Sequence, residues 1–399
     1  GKGNVAVFVY INDVLVETLS VNFVDPSSAK YYQFVESDYI AFGEISGVES
    51  ATFKVDDSKI ELEGGIDFGD GAGAVSEPEV LSAEIATAIS TAGALENLKD
   101  PYQYDFDVIV SGGWQEVQLS NTDPSKICGV DNALKDLARS RGTAIYLVDG
   151  KSNWNDKVMY SYCGLFDDSY VAAFGPWSYA QFTSTGAVAL LPGSYAMIIA
   201  WAQSCAAGSP VWMAPAGVKR ATLGSFFKKT AYYVGKAVLD SWQNHDYVTP
   251  GQYSVNPIMK AKQYGYVVYG NSTLLKTRED GATSMLQSFS VRVLANLIKS
   301  RAFDVSLYLQ FDQLTSDLFN QFKSLMGTYM DQLRYQNALY DYEIVLTNNV
   351  LTNSDLNEKR LPVTIRISPN PAAENFEITL EVSQAGVSFS DDTDETEIG

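Results

Sequence analysis

Between about residue 60 and residue 210 the chain alternates strand-like and helix-like patterns. SKIELEGG, YDFDVIVSGG, GTAIYLVDG and YVAAFGPW read as strands. SEPEVLSAEIATAIS, VDNALKDLARSR and GSYAMIIAWAQSCAAG, set between and after them, read as helices. Strands separated by helices pair in parallel through crossovers, and the helices then cover the sheet faces. The helix ends carry their own signals. Ser76 with Glu79 fits a capping box, and Pro78 suits a first turn. Asp131 stands near one helix start and Arg139 and Arg141 near its end, as the helix dipole favours. Gly208 and Pro210 stop the third helix.

The flanks differ from this core. VAVFVY and DVLVETLSVNF form a hairpin turning at Ile11, Asn12 and Asp13. In the last third, FSVRVLANLIKSRAF reads as an amphipathic helix. A second helix follows, with Leu318, Phe322, Leu325, Tyr329 and Leu333 at helical spacing. DYEIVLT and RLPVTIRISP are strands. The expected fold class is α/β with α+β elements: a doubly wound, mostly parallel sheet core, an N-terminal β-hairpin and a C-terminal helix-plus-strand region. The expected parts are 1–215 (hairpin plus α/β core), 216–370 (C-terminal helical and strand part) and 371–399 (arm strand and acidic tail).

FEITLEV, residues 376–382, alternates strictly. Phe376, Ile378, Leu380 and Val382 share one side, and Glu377, Thr379 and Glu381 the other. It follows Pro369 and Pro371, a stiff corner lacking two backbone donors. A terminal strand behind such a corner needs a sheet edge, its own or a neighbour's.

A chain that is 46% hydrophobic and 12% aromatic can bury a large core. Its net charge of −20 repels phosphate backbones, so direct nucleic-acid binding is not expected. No apolar run reaches the roughly 18 residues of a membrane span, so no membrane insertion is expected. Cys128, Cys163 and Cys205 are odd in number and far apart, which argues for buried free thiols. The chain begins without Met and enters a strand at once, as a piece of something longer would.

Catalytic motifs are scarce. The loop at residues 64–73 lies where a nucleotide fold places its phosphate loop, but neither GxGxxG nor GxxxxGK[ST] fits. Asp67 and Asp70 would repel a phosphate, and with Glu77 they lack the EF-hand spacing for calcium. No cofactor and no metal is expected there. His245, the single histidine, lies beside Asp246 in a polar stretch without a GxSxG nucleophile, and reads as a surface residue. The acidic DDTDETE tail reads as a solvated end. Lys219, Arg220, Lys228 and Lys229 form a small basic cluster, either a solvated helix face or a docking patch for an acidic partner.

The order of motifs resembles the tail sheath proteins of bacteriophages with contractile tails. SKIELEGG resembles the family's strand ending in a double glycine. AAFGPW, with Gly175 and Trp177, resembles its Pro-Trp turn. Trp212 to Gly217 (WMAPAG) resembles its Trp and APAG-like loop. Asn256 and Pro257 precede GYVVYGNSTLL, which is similar to the family's Gly-Tyr-Val strand. Arg292 in VRVLANLIKSRAF stands in the place of the family's arginine, and TIRISPNPAAENFEITLEV resembles its closing strand, proline corner and terminal strand. The arm and further domains that precede the hairpin in that family have no counterpart in this sequence, and the resemblance then implies that the chain alone builds no long tubes.

The resemblance implies a mechanical role without catalysis. Subunits would form stacked hexameric rings around a rigid tube, and contraction would drive the tube through the host envelope for genome ejection. The implied partners are neighbouring sheath subunits, the tail tube protein, the baseplate and the tail terminator. The implied place is the virion tail, after assembly in the bacterial host cytoplasm. Phe376, Ile378, Leu380 and Val382 would form an intersubunit strand. The alternatives are the sheath of a phage-derived injection device or type VI-like secretion system and, from another class, an α/β hydrolase-like enzyme.

Overall fold

The computed structural model describes residues 4–11, 14–22, 85–91, 93–121, 125–181, 186–243, 249–347 and 352–372. The chain divides into two units, Gly1–Ala74 and Val75–Gly399. The first contains the hairpin. Strands β1 (Asn4–Ile11) and β2 (Val14–Asn22) pair antiparallel, with a register shift between Val9 and Tyr10. Ile11 pairs with Val14 at the end of the hairpin.

The second unit begins its regular elements with β3 (Val108–Val110), α1 (Gln115–Asn121), α2 (Gly129–Arg141), β4 (Ile145–Val148), α3 (Asp156–Cys163) and β5 (Val171–Gly175). Then come β6 (Ser178–Gln181), β7 (Val188–Leu191), α4 (Gly193–Ala206), α5 (Gly217–Arg220), β8 (Phe227–Thr230) and α6 (Lys236–Trp242). The last are β9 (Asn256–Ala261), β10 (Gly265–Val268), α7 (Phe289–Tyr308), α8 (Ser316–Tyr335), β11 (Leu339–Leu346), α9 (Asn353–Asn357) and β12 (Val363–Pro369).

The central sheet has the order β10-β9-β5-β4-β3. Its first four strands in sequence run parallel, and β10 closes the edge antiparallel to β9. Strand alternation sorts side chains to two faces. Tyr146, Val148, Val171 and Ala173 meet α2, α3 and Trp242 of α6 on one face. Ile145, Leu147, Ala172 and Phe174 meet Ala196, Met197, Ala200 and Trp201 of α4, together with Phe289 and Val293 of α7, on the other. Burying each of Phe166, Phe174 and Phe289, all within this double layer, contributes about 1.5–3 kcal/mol. Helix α2 stops at Gly142, whose left-handed backbone (φ 72°) favours glycine. Helices α3 and α8 start on side-chain caps, Asn155 to the Val158 N–H and Thr315 to the Leu318 N–H.

A three-stranded antiparallel sheet, β7-β6-β8, adds Ala180 and Phe227 to the second face. The C-terminal elements form a separate cluster of α7, α8 and the antiparallel pair β11-β12. Two expectations shift here. The first half of α7 is buried on every side, Phe289 to Leu294 without a break, because it is wedged between the central sheet and α8. Amphipathicity describes only its second half. The buried stripe of α8 is Leu318, Phe322, Met326, Met330 and Leu333, whereas Leu325 is 41% exposed and Tyr329 half-buried. At 3.6 residues per turn the arc is centred near Met326 and Leu333, and Leu325 falls on its margin. Among the described residues no helix is long and apolar enough to cross a membrane.

Candidate functional site

Open α/β sheets bind ligands outside the carboxyl ends of their strands, in a crevice where the strand order reverses. Here the order advances one way from β3 to β9, so among the described strands no reversal opens such a crevice. The chain itself fills the place. Asp149, the residue after β4, is fully buried, and its carboxylate sits at the start of α4. It accepts from the Ser194 N–H at 2.8 Å and the Ser194 Oγ–H at 2.5 Å. These are the helix N-terminal donors that a phosphate would otherwise take. Around it, Gln115 Nε2 donates to the Asp149 carbonyl at 3.4 Å, and Trp177 Nε1 to the Gly150 carbonyl at 2.8 Å. A Cβ on Gly193 would stand 2.2 Å from the Phe174 carbonyl oxygen, so the helix start is pressed onto the end of β5.

Burial pushes the Asp149 carboxyl up to about 7, against the pull of the Ser194 and Gly193 donors. The unfolded carboxyl loses its proton near the ordinary value of 3.8. Between these values the native state holds the extra proton. Stability is therefore full below the lower value and falls as pH rises through the upper one. The thermal midpoint is expected to drop by several degrees between about pH 5 and about pH 8. Asp149→Asn, which cannot ionise, should flatten that slope. Parallel midpoint curves for the two proteins would show that another group titrates.

A second buried polar group lies under α2. Asp131 accepts from Tyr146 Oη at 2.6 Å and from Tyr162 Oη at 2.5 Å, and the Cys128 N–H donates to Tyr162 Oη at 3.2 Å. Burial pushes the Asp131 carboxyl up while the two phenols pull it back. The arrangement ties α2 to β4 and α3 and leaves no donor for a substrate. The three cysteines are free, two buried and Cys205 half-buried. Burial pushes the Cys128 thiol up to about 12 and the Cys163 thiol higher, so neither is a nucleophile near neutral pH. Arg292 is also internal. Its guanidinium lies 4.2 Å from the Tyr170 ring centroid and donates to Ser169 Oγ at 3.3 Å, fastening α7 to the segment that enters β5.

The sequence-predicted basic residues divide between two elements. Lys219 and Arg220 end α5, while Lys228 and Lys229 lie on β8, an outer strand of its sheet. Arg220 Nε donates to the Ala214 carbonyl at 2.9 Å, and Lys229 Nζ sits 4.3 Å from the Tyr179 ring centroid. Lys219 and Lys228 are exposed. Phe376, Ile378, Leu380 and Val382, His245 and the loop at residues 64–73 lie outside the described residues.

What sequence reading did not single out is the β11-β12 pair as a platform. Tyr342, Ile344, Val363, Ile365 and Ile367 pack toward α7 and α8. Tyr342 Oη donates to the Gly327 carbonyl at 3.2 Å and to Asp331 at 2.9 Å. The other face is polar and includes the Arg366–Glu343 pair at 2.7 Å. Among the described residues no third strand pairs with either edge.

No family model and no curated protein matches the chain. Solved structures do. A chain of the anti-feeding prophage (AFP) baseplate in its contracted state has a TM-score of 0.58 at 18% identity, over 79% of each chain. A chain of the PVC sheath complex, an extracellular contractile injection system in its contracted state, has a TM-score of 0.52 at 16% identity, over 76% of this chain and 80% of that chain. By its fold this chain is sheath-like. A chain of the six-fold symmetrised AFP baseplate overlaps less, with a TM-score of 0.49 at 15% identity, over 64% of this chain and 66% of that chain. In this sheath-like fold the central sheet serves as a packed frame, and its ligand position is taken up by Asp149 and Ser194.

Proposed function

We propose that this chain is a structural subunit of a contractile sheath. The observation that carries the reading is the fold shared with a chain of the PVC sheath complex over 76% of this chain. The enclosed carboxyl end of the parallel sheet supports a mechanical role over a hydrolase-like one, since a catalytic site needs convergent groups around an open pocket. Subunits would assemble as stacked hexameric rings around a tube, with neighbouring copies, the tube protein, the baseplate and the terminator as partners. The hairpin and core of 1–215 and the helical part of 216–370 would act as the frame, and 371–399 as the tether. Residues 376–382 would add to a neighbour's sheet, with Phe376, Ile378, Leu380 and Val382 entering its pockets.

A second reading is the sheath of an injection device rather than of a virion tail. It is favoured by the similar chains, which come from an anti-feeding prophage and an extracellular contractile injection system. One experiment tests the mechanical reading and separates these two. The native assembly is purified from its source, its mass is measured, and antibody to this chain is located on the particles by electron microscopy. Labelling along the outer sleeve of a contractile particle is expected, and DNA-filled heads on the particles would assign a virion. A free monomer never found on a particle would sink the sheath reading.

A further inference from the structure

From residue 169 to residue 239 the chain contains no Asp or Glu, yet it carries Lys219, Arg220, Lys228, Lys229 and Lys236. From 241 to 278 Asp246 is the single acid, against Lys260, Lys262, Lys276 and Arg278. For a chain of net charge −20 this is a strong internal asymmetry. Folding brings parts of the two stretches side by side. The Leu223 N–H donates to the Tyr266 carbonyl at 2.8 Å, the Val268 N–H donates to the Ala221 carbonyl at 3.1 Å, and Thr222 bridges Val267. Tyr266 in turn pairs with Lys260 across β9 and β10, and Lys262 follows at their turn. The segment that joins Lys219 to Lys228 therefore lies one strand away from β10 and two from Lys260.

Lys219, Lys228, Lys229, Lys260 and Lys262 are all exposed. None of them pairs with a described carboxylate, while Lys236 is taken by Asp240 at 2.9 Å. Five exposed lysines without a described carboxylate partner, on segments almost free of acid, suit a dense run of carboxylates. This chain has one such run. Residues 391–397 hold Asp391, Asp392, Asp394, Glu395 and Glu397.

We propose that the acidic segment 391–397 of a second copy docks on the nearly acid-free segments that carry the exposed Lys219, Lys228, Lys229, Lys260 and Lys262. The choice of a second copy rests on the sheath reading. If residues 376–382 join a neighbour's sheet, the acidic run begins nine residues beyond them, within roughly 30 Å of extended chain. The contact would act as an electrostatic latch, selective by charge and weakened by salt.

Two full-length variants test it. One keeps the lysines and neutralises the tail (D391N, D392N, D394N, E395Q, E397Q). The other keeps the tail and reverses three lysines (K219E, K228E, K260E). Unchanged thermal midpoints establish that both fold. A labelled peptide of residues 385–399 is expected to bind the first and to bind the second about tenfold more weakly or worse. A peptide with the five acids replaced by Lys should reverse that order. The two full-length variants, mixed, should co-sediment as a pair, since the tail of one meets the lysines of the other. Equal peptide binding to both, no binding to either, or absence of the mixed pair overturns the proposal. So does tighter binding of a single-stranded oligonucleotide of equal charge. Peptide binding and the mixed pair, together with a chain never found on particles, would keep the latch and sink the sheath reading. A chain found on the sheath but without peptide binding would do the opposite.

Discussion

Replacing Ile378 and Leu380 together with Asp is expected to leave the chain folded and to abolish its joining to neighbouring copies in the native assembly. An extended segment that adds to a sheet edge gains backbone hydrogen bonds along its length and places alternate side chains in pockets. Four apolar side chains, Phe376, Ile378, Leu380 and Val382, contribute about 1.5–3 kcal/mol each when buried. Ordering the backbone costs about 1–2 kcal/mol per residue. The two sums are comparable, so two buried carboxylates, each costly without a partner, decide the balance. The edges of β11-β12 are suitable acceptors. β12 is seven residues long, the length of segment 376–382, and the pair presents one apolar and one polar face. Glu377→Gln with Glu381→Gln, at the polar positions of the alternation, should leave assembly intact. Sedimentation of the native assembly and circular dichroism of the chain read the two outcomes. Normal assembly of the Asp variant would take 376–382 out of the intersubunit contact, and an unfolded chain would make it an ordinary core strand.

The parts that the sequence made legible are those with local causes. Strands β4 and β5 are short apolar runs between helix patterns, and both faces of a parallel sheet demand that composition. The end of α2 is written in Arg139, Arg141 and Gly142. The parts that were missed depend on partners distant in sequence. SYAQ, VALL and FKKT are each four residues long, too short for alternation to show, and become strands through pairing with one another. The buried half of α7 looks amphipathic until the sheet and α8 enclose it. The contact of Asp149 with Ser194 spans 45 positions, and no local pattern announces it. The lysine set was half visible. Three of its five lysines, Lys219, Lys228 and Lys229, stood out, but a net charge of −20 conceals a long acid-free run until charge is read segment by segment.

Gly193→Ala is expected to destabilise the chain by more than about 4 kcal/mol. Helix propensity alone argues the other way, since Ala is favoured over Gly by up to about 1 kcal/mol inside a helix. Geometry overrules it. The added Cβ would lie 2.2 Å from the Phe174 carbonyl oxygen, 2.6 Å from its carbon and 3.0 Å from the Gly175 Cα. All three are backbone atoms, so no side chain can swing aside. Phe174 lies in β5, which is held by β4 on one side and β9 on the other, so the strand cannot retreat without breaking pairs in the middle of the sheet. Gly186→Ala is the control. No atom lies within 4 Å of that Cβ, and its φ of +69° leaves only the left-handed backbone cost of about 1–2 kcal/mol. Denaturant unfolding of the two variants should therefore separate them by at least a few kcal/mol, with Gly193→Ala the worse. The result bears on function, because the same close approach seats α4 over Asp149 and closes the carboxyl end of the sheet. A Gly193→Ala protein as stable as the parent would mean that α4 can lift from β5. The place where α/β enzymes bind their ligands would then open, and the non-catalytic reading would lose its structural ground.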